Sequence, residues 1–293
     1  MEDGNLTDVI NLKTDTHSYH IRFTSFGNAG SKPLIFIHGT PWSSKVWVPL
    51  ARAFAESFHV YLFDNPGYGE SPGGTPISSS GKELDVSLAG QAEAFAKLVE
   101  AWKLPGPPHV IAHDIGGLIS LRANLCHGVE YASLCLVDAV AVTPFGSPFF
   151  RLVAGNSDVF NMIPDGLMEG LIRAYIQGAA FKRLGQEVED MLAGPWLATG
   201  LQRKAGFIRQ MKQADNRHVE DVEPRYHEVG ERIPVKIIWG KEDAWIPVDR
   251  AAKLGKMIGT DEVVIVAGAG HLIHFDQPVR LAVELSSWLA RVA

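Results

Sequence analysis

The run Val110-Ile111-Ala112-His113-Asp114-Ile115-Gly116-Gly117 decides the fold. An apolar stretch ends on an acid and two glycines open what reads as a helix, so the run predicts strand, sharp turn and helix in succession. The small residues Ala112 and Gly116 stand two places on either side of Asp114. They let the backbone fold tightly enough to carry the Asp114 side chain away from the sheet.

That is the geometry of a nucleophile elbow, whose tip is normally a serine in Gly-x-Ser-x-Gly. Here the tip is Asp114, and alanine replaces the first glycine. A carboxylate attacking an acyl carbon would give only an anhydride. On a saturated carbon bearing a halide or an epoxide oxygen it gives an alkyl ester on the enzyme. Water must then attack that ester, so a histidine base and an oxyanion hole are required elsewhere in the chain.

Working outward, Leu34 to His38 is a continuous apolar run of the kind found in strands covered on both faces. It ends in Gly39-Thr40-Pro41-Trp42. Such a turn can aim a backbone N–H at the space before the elbow, which makes Thr40 and Ile115 the two candidate oxyanion donors. His38 is read as a hydrogen-bonded structural histidine. Phe58 to Phe63 and Leu134 to Asp138 read as further buried strands, and Asp64 as the brace of the turn that follows the first of them. A helix over Asp85–Trp102 separates them, with Leu88, Ala92, Phe95, Val99 and Trp102 on one face. Thr7–Leu12 and Ser18–Ser25 suggest an initial hairpin. Strands alternating with helices predict a mostly parallel, doubly wound α/β sheet with right-handed crossovers.

The alternation fails over residues 139–233, a stretch far longer than one crossover needs before the strand at Val235. The expectation is an inserted helical cap over 139–233 on a core of 1–138 and 234–293, with helices at Gly166–Leu184 and Gln202–Ala214. After it, the strands Val235–Trp239 and Val263–Ala267 each run into a loop with a titratable residue, Asp243 and His271 respectively. A final helix is expected over Pro278–Leu289.

Composition fixes the class of partner. Among 293 residues, 27 basic side chains face 33 acidic ones for a net charge of −6, without a basic block. This argues against nucleic acid or an anionic membrane and for a small apolar or moderately polar organic substrate. The N-terminus, Met1 to Asn11, lacks the basic segment and apolar core of a signal peptide, and no apolar run reaches membrane-span length, so a cytoplasmic location is expected. Cys126 and Cys135 read as buried free thiols. The remaining histidines show no metal-ligand spacing, and no dinucleotide or phosphate-loop pattern is present. Neither metal nor cofactor is implied.

Taken together, His38-Gly39-Thr40-Pro41, the elbow at Asp114, Gly240-Lys241-Glu242-Asp243 and Gly270-His271-Leu272 resemble the α/β-hydrolase family from about Leu34 onward. The family order of nucleophile, acid and histidine is met by Asp114, Asp243 and His271. The Asp nucleophile resembles the branch of haloalkane dehalogenases, fluoroacetate dehalogenases and epoxide hydrolases. That resemblance implies that Asp114 attacks carbon, His271 activates water and Asp243 orients the imidazole. Asp138 is a rival for the last role, because some relatives place the acid after the strand preceding the cap. Haloalkane dehalogenases hold halide with a tryptophan after the nucleophile and an asparagine in the oxyanion turn, where this chain has Ile115 and Thr40. Fluoroacetate dehalogenases place an arginine at Ile115. Epoxide hydrolases use cap tyrosines, and Tyr175 lies in an expected cap helix, so an epoxide is preferred. Trp42, Tyr175 and Trp196 are the candidate substrate contacts. The alternative is a lyase, cyclase, isomerase or binding protein using Asp114 as a general base.

Overall fold

The computed structural model describes residues 5–77 and 83–293. Met1 to Gly4, the start of the segment read for a signal peptide, lie outside the described residues. Strands β1 (Asp8–Lys13), β2 (His17–Phe26), β3 (Pro33–Ile37), β4 (His59–Phe63), β5 (Thr75–Pro76), β6 (His109–His113), β7 (Ser133–Val137), β8 (Val235–Gly240) and β9 (Val263–Val266) form one sheet. Its order is β1-β2-β4-β3-β6-β7-β8-β9, with β5 pairing β2. The hairpin β1–β2 is antiparallel, as is the pairing of β2 with β4, and every pair from β4 to β9 is parallel. This is the expected doubly wound sheet, with the hairpin at one edge.

All residues of β3, β6, β7 and β8 are buried. Strands buried along both faces need helices on both sides, and that is why these runs are almost wholly apolar. The polar exceptions are His109, His113, Ser133 and Lys236, the last of which reaches Glu284 at 2.8 Å. The helices are α1 (Val48–Phe54), α2 (Leu88–Trp102), α3 (Ile115–His127), α4 (Pro148–Gly155), α5 (Ser157–Met162), α6 (Asp165–Gln177), α7 (Gln186–Ala193), α8 (Arg203–Gln213), α9 (Arg217–Glu220), α10 (His227–Arg232), α11 (Asp249–Ile258), α12 (Ile273–Asp276) and α13 (Pro278–Val292). No helix among the described residues is long and apolar enough to cross a membrane.

Several boundaries move from those expected. Helix α2 begins at Leu88, because the Ser87 hydroxyl accepts from the Gly90 N–H and caps it. The helix expected over Gly166–Leu184 stops at Gln177. Beyond it, the N–H groups of Phe181 and Lys182 turn to the Asp276 carboxylate at 2.8 Å each, and a tertiary partner replaces the helical one. Cys135 is buried as expected, but Cys126 is exposed, on the outward side of the last turn of α3.

Helices α4 to α10 all fall between β7 and β8. They are joined to the loops at the strand ends by polar side chains. Gln202 donates to Gly69 O and Ser71 O, Gln213 donates to Leu84 O and accepts from Val86 N, and Trp196 donates to Pro41 O. The last of these helices, α10, packs against α3 and α11 beside the sheet.

Candidate functional site

Asp114 stands between β6 and α3 with φ 54° and ψ −123°. A non-glycine residue there costs on the order of 1–3 kcal/mol and persists only if its surroundings impose it. They do so here. The Asp114 N–H donates to Val137 O at 3.1 Å, and Asp114 O accepts from Gly117 N at 3.0 Å and Val140 N at 2.9 Å. Close approach fixes the neighbouring residues: a Cβ at Gly39 would lie 2.3 Å from Asp114 Cβ, and one at Gly116 would lie 2.9 Å from the Ile37 and His38 carbonyl oxygens.

The two carboxylate oxygens of Asp114 have separate partners. Oδ1 accepts from the Thr40 backbone N–H at 2.7 Å, and Oδ2 lies 3.1 Å from His271 Nε2. His271 Nδ1 lies 2.8 Å from Asp243 Oδ2. The other oxygen of Asp243 accepts from the N–H groups of Trp245 and Ile246, which locks the carboxylate in the loop after β8. Burial alone would push the His271 pKa down. The Asp243 and Asp114 carboxylates on its two nitrogens outweigh that and hold it well above the ordinary histidine value.

Asp138 is placed differently. It follows β7 with φ 42°, is fully buried, and accepts through Oδ1 from Gly240 N at 2.7 Å, while Oδ2 has no hydrogen-bond partner among the described residues. Burial, reinforced by the Asp243 charge, raises its pKa well above the carboxylate range. The acid hydrogen-bonded to the histidine is Asp243.

A cavity of about 20 Å³ adjoins Asp114, lined in part by Thr40, Ile115, Phe145, Phe150, Tyr175 and Trp245. That is room for about one water. Ile115 opens α3, where first-turn N–H groups have no intrahelical acceptor. Tyr175 is buried, stacks on Trp245 at 4.1 Å between ring centres, and has Ser147 as a hydrogen-bond partner. Burial pushes its phenol pKa up, so it remains a proton donor at any working pH.

The other two expected substrate contacts do not line this cavity. Trp42 is buried behind Trp245, stacked at 5.6 Å, and its indole N–H has no partner among the described residues. Trp196 is buried edge-on to Tyr68, with its N–H on Pro41 O. His38 is structural, as read: Nε2 accepts from Asn65 N, which leaves Nδ1 to donate to Gly39 O. Asp64 braces its turn by accepting from Ser44 N and Glu70 N.

Sequence reasoning missed Trp245, Phe145, Phe150 and the pair Tyr68 and Gln210. Trp245 stands two residues past Asp243, a signal within reach. The others come from separate loops and helices that only packing brings together. Among the described residues no group of three or more His, Cys, Asp or Glu side chains is placed to hold a metal ion.

Residues 34–285 match the model of the alpha/beta hydrolase family. The chain is 24% identical over 286 residues to monoacylglycerol lipase abhd6-B of Xenopus laevis, an alignment covering 93% of this chain and 80% of that protein. Its structure is similar to an alpha/beta hydrolase fold protein from Burkholderia ambifaria, with TM-score 0.84, 33% identity, and coverage of 97% of this chain and 98% of that one. In fold it is also similar to haloalkane dehalogenase DbeA from Bradyrhizobium elkani USDA94, with TM-score 0.72, 16% identity and coverage of 97% and 98%. With sheet order, elbow and family model in agreement, the chain belongs to the alpha/beta hydrolase family and is a hydrolase of that type.

Proposed function

We propose that this hydrolase works through an alkyl ester on Asp114, which His271-activated water then cleaves, with Asp243 orienting the imidazole. The observation that carries the proposal is the split carboxylate: one oxygen is held on the Thr40 N–H, and the other is free of backbone donors beside His271. Acyl transfer at such an elbow is the work of a serine hydroxyl, and the carboxylate here suits attack on saturated carbon instead.

Charge bookkeeping supports two steps. While Asp114 is anionic, His271 holds its proton and cannot act as a base. Alkylation removes the Asp114 charge and with it one of the two anions that hold the proton, so the imidazole becomes competent to deprotonate water only once the ester exists. The substrate class is an epoxide. Attack by Oδ2 breaks the ring C–O bond and sends the electron pair to oxygen, and the Tyr175 phenol beside Asp114 supplies a proton there. The proton that His271 must lose balances the one that Tyr175 must regain. Helices α4 to α8 act as the cap that excludes bulk water from these steps.

The test is turnover of an epoxide in heavy-oxygen water, followed by mass analysis of the peptide containing Asp114. Ester hydrolysis at the acyl carbon leaves solvent oxygen in the carboxylate. An unlabelled Asp114 after many turnovers would mean general-base or direct hydrolytic chemistry instead.

A further inference from the structure

The turn that holds Asp114 is tied to the helices between β7 and β8 at two consecutive residues. The Thr40 hydroxyl donates to Gln210 Oε1 at 2.7 Å, and the Pro41 carbonyl accepts from Trp196 Nε1 at 2.7 Å. Gln210 belongs to α8 and is 1% exposed. Its Oε1 also accepts from the Tyr68 hydroxyl at 3.0 Å. Two donors from different core loops therefore converge on one oxygen carried by α8. This convergence decides which way the amide faces, and it leaves Nε2 buried without a hydrogen-bond partner among the described residues. Methionine has the same reach and no idle N–H, but it would take away the oxygen that accepts from Thr40 and Tyr68. Keeping an amide with half of its bonding capacity idle in a buried place calls for an explanation, and the oxygen that gathers Thr40 and Tyr68 supplies one.

We infer that Gln210 is a positioning residue for the second step, holding Thr40 so that its backbone N–H stays aimed at the oxyanion formed when water attacks the Asp114 ester. The inference rests on the reading of Asp114 as the alkylated group. The two steps ask different things of Thr40. In the first, an Oδ2 electron pair forms the bond to substrate carbon, the bond to the leaving atom breaks with its pair, and negative charge departs from Asp114. A donor on Oδ1 favours the charged carboxylate and does not help this step. In the second, water gives a proton to His271 Nε2, its oxygen bonds to Asp114 Cγ, and the carbonyl pair moves onto Oδ1, against the Thr40 N–H. Collapse breaks the Cγ–Oδ2 bond, so that Oδ2 leaves with the product and takes the proton from His271. The new carboxyl then returns its own proton to the imidazole. Only this step places new charge on Oδ1, so loosening Thr40 slows the second step and spares the first.

The test compares wild type with Gln210→Met, Gln210→Glu and Tyr68→Phe, each checked for folding by circular dichroism. Styrene oxide and 1-bromohexane are the probes, and intact-mass spectrometry follows growth and decay of the ester in a single turnover. Gln210→Met is expected to form ester within about threefold of the wild-type rate and to hydrolyse it at least about tenfold more slowly, a fraction of what losing an oxyanion donor outright costs. Adduct should accumulate. Gln210→Glu keeps an acceptor oxygen for both hydroxyls and should hydrolyse the ester at close to the wild-type rate. Tyr68→Phe should slow hydrolysis less than Gln210→Met does. Ester on wild type with both steps slowed alike in Gln210→Met, or neither slowed, overturns the role of Gln210 and leaves that of Asp114 standing. If Gln210→Met does not fold, unchanged ester decay in Tyr68→Phe overturns it. Absence of ester on wild type with both probes overturns the Asp114 reading and takes this inference with it.

Discussion

Asp243 and Asp138 end adjacent strands, yet only Asp243 bonds to His271, through Nδ1 at 2.8 Å. Removing that carboxylate leaves the imidazole free to adopt the wrong tautomer. Asp243→Asn is therefore expected to lower kcat by about 10⁴, as for other histidines deprived of their orienting acid. Asp138→Asn keeps an acceptor oxygen for Gly240 N, and asparagine accepts the positive φ of 42°, so its turnover should stay well above that of Asp243→Asn. A larger loss in Asp138→Asn than in Asp243→Asn, both folded, would reverse the assignment. Tyr175→Phe preserves the stack on Trp245 and removes one proton. Ester formation from an epoxide should slow by about a hundredfold, the usual scale for a general acid, while a bromoalkane, which forms no alkoxide, should react as before. Equal losses in single-turnover rates on both would make Tyr175 a packing residue. Asp114, His271 and Asp243 were legible because each closes a strand-to-loop step, a local pattern. Gln210 and Tyr68 were not, since 142 positions separate partners that share a hydrogen bond and nothing local marks either one.

At the level of elements, the strands were readable because burial on both faces leaves apolar runs with sharp ends, as in β3 and β6. The helices between β7 and β8 were read less completely. Helices α4, α5 and α7 are each eight residues or fewer, too short for an apolar stripe to repeat. Of the three only α4 has a side-chain cap, the Ser147 hydroxyl on Phe150 N. Helix α11 had a usable stripe in Ala251, Leu254 and Ile258 and was not among those expected. The start of α4 also shapes the cavity. Phe150 is 5% exposed and lines the space beside Asp114, so Phe150→Ala should enlarge it at a stability cost of about 3–5 kcal/mol. The expected signature is a lower midpoint in urea, together with a KM that falls for bulky substrates and stays unchanged for the smallest. A fall in KM for neither would mean that the pocket does not limit substrate size.

For the molecule as a whole, the buried histidines are expected to set the acid limit of stability. His38, His113 and His274 are buried and neutral: burial lowers His38, takes His113 down to about 3, and pushes His274 well below its ordinary value, with neither of its ring nitrogens partnered among the described residues. As pH drops below about 6.5 the unfolded chain takes up protons that these folded sites refuse, so stability falls. His271 has the opposite sign. Its contribution is complete below about 6.5 and is lost as pH rises through its elevated folded value. Denaturation midpoints should therefore peak near neutrality. His274→Phe, which keeps the edge contacts to Trp47 and His113, should flatten the acid side, gaining about 1.4 kcal/mol over wild type for each pH unit below that point. An acid limb identical to wild type would show that His274 does not set it. The volume beside Asp114 has a separate consequence. A space of about 20 Å³ is smaller than the organic substrate proposed for it, so binding is expected to require the pocket to widen. Capture is then clocked by the chain and not by the ligand. In stopped-flow mixing, the observed rate should level off with rising concentration at one ceiling shared by substrates of unlike reactivity, and that ceiling should drop in viscous solvent.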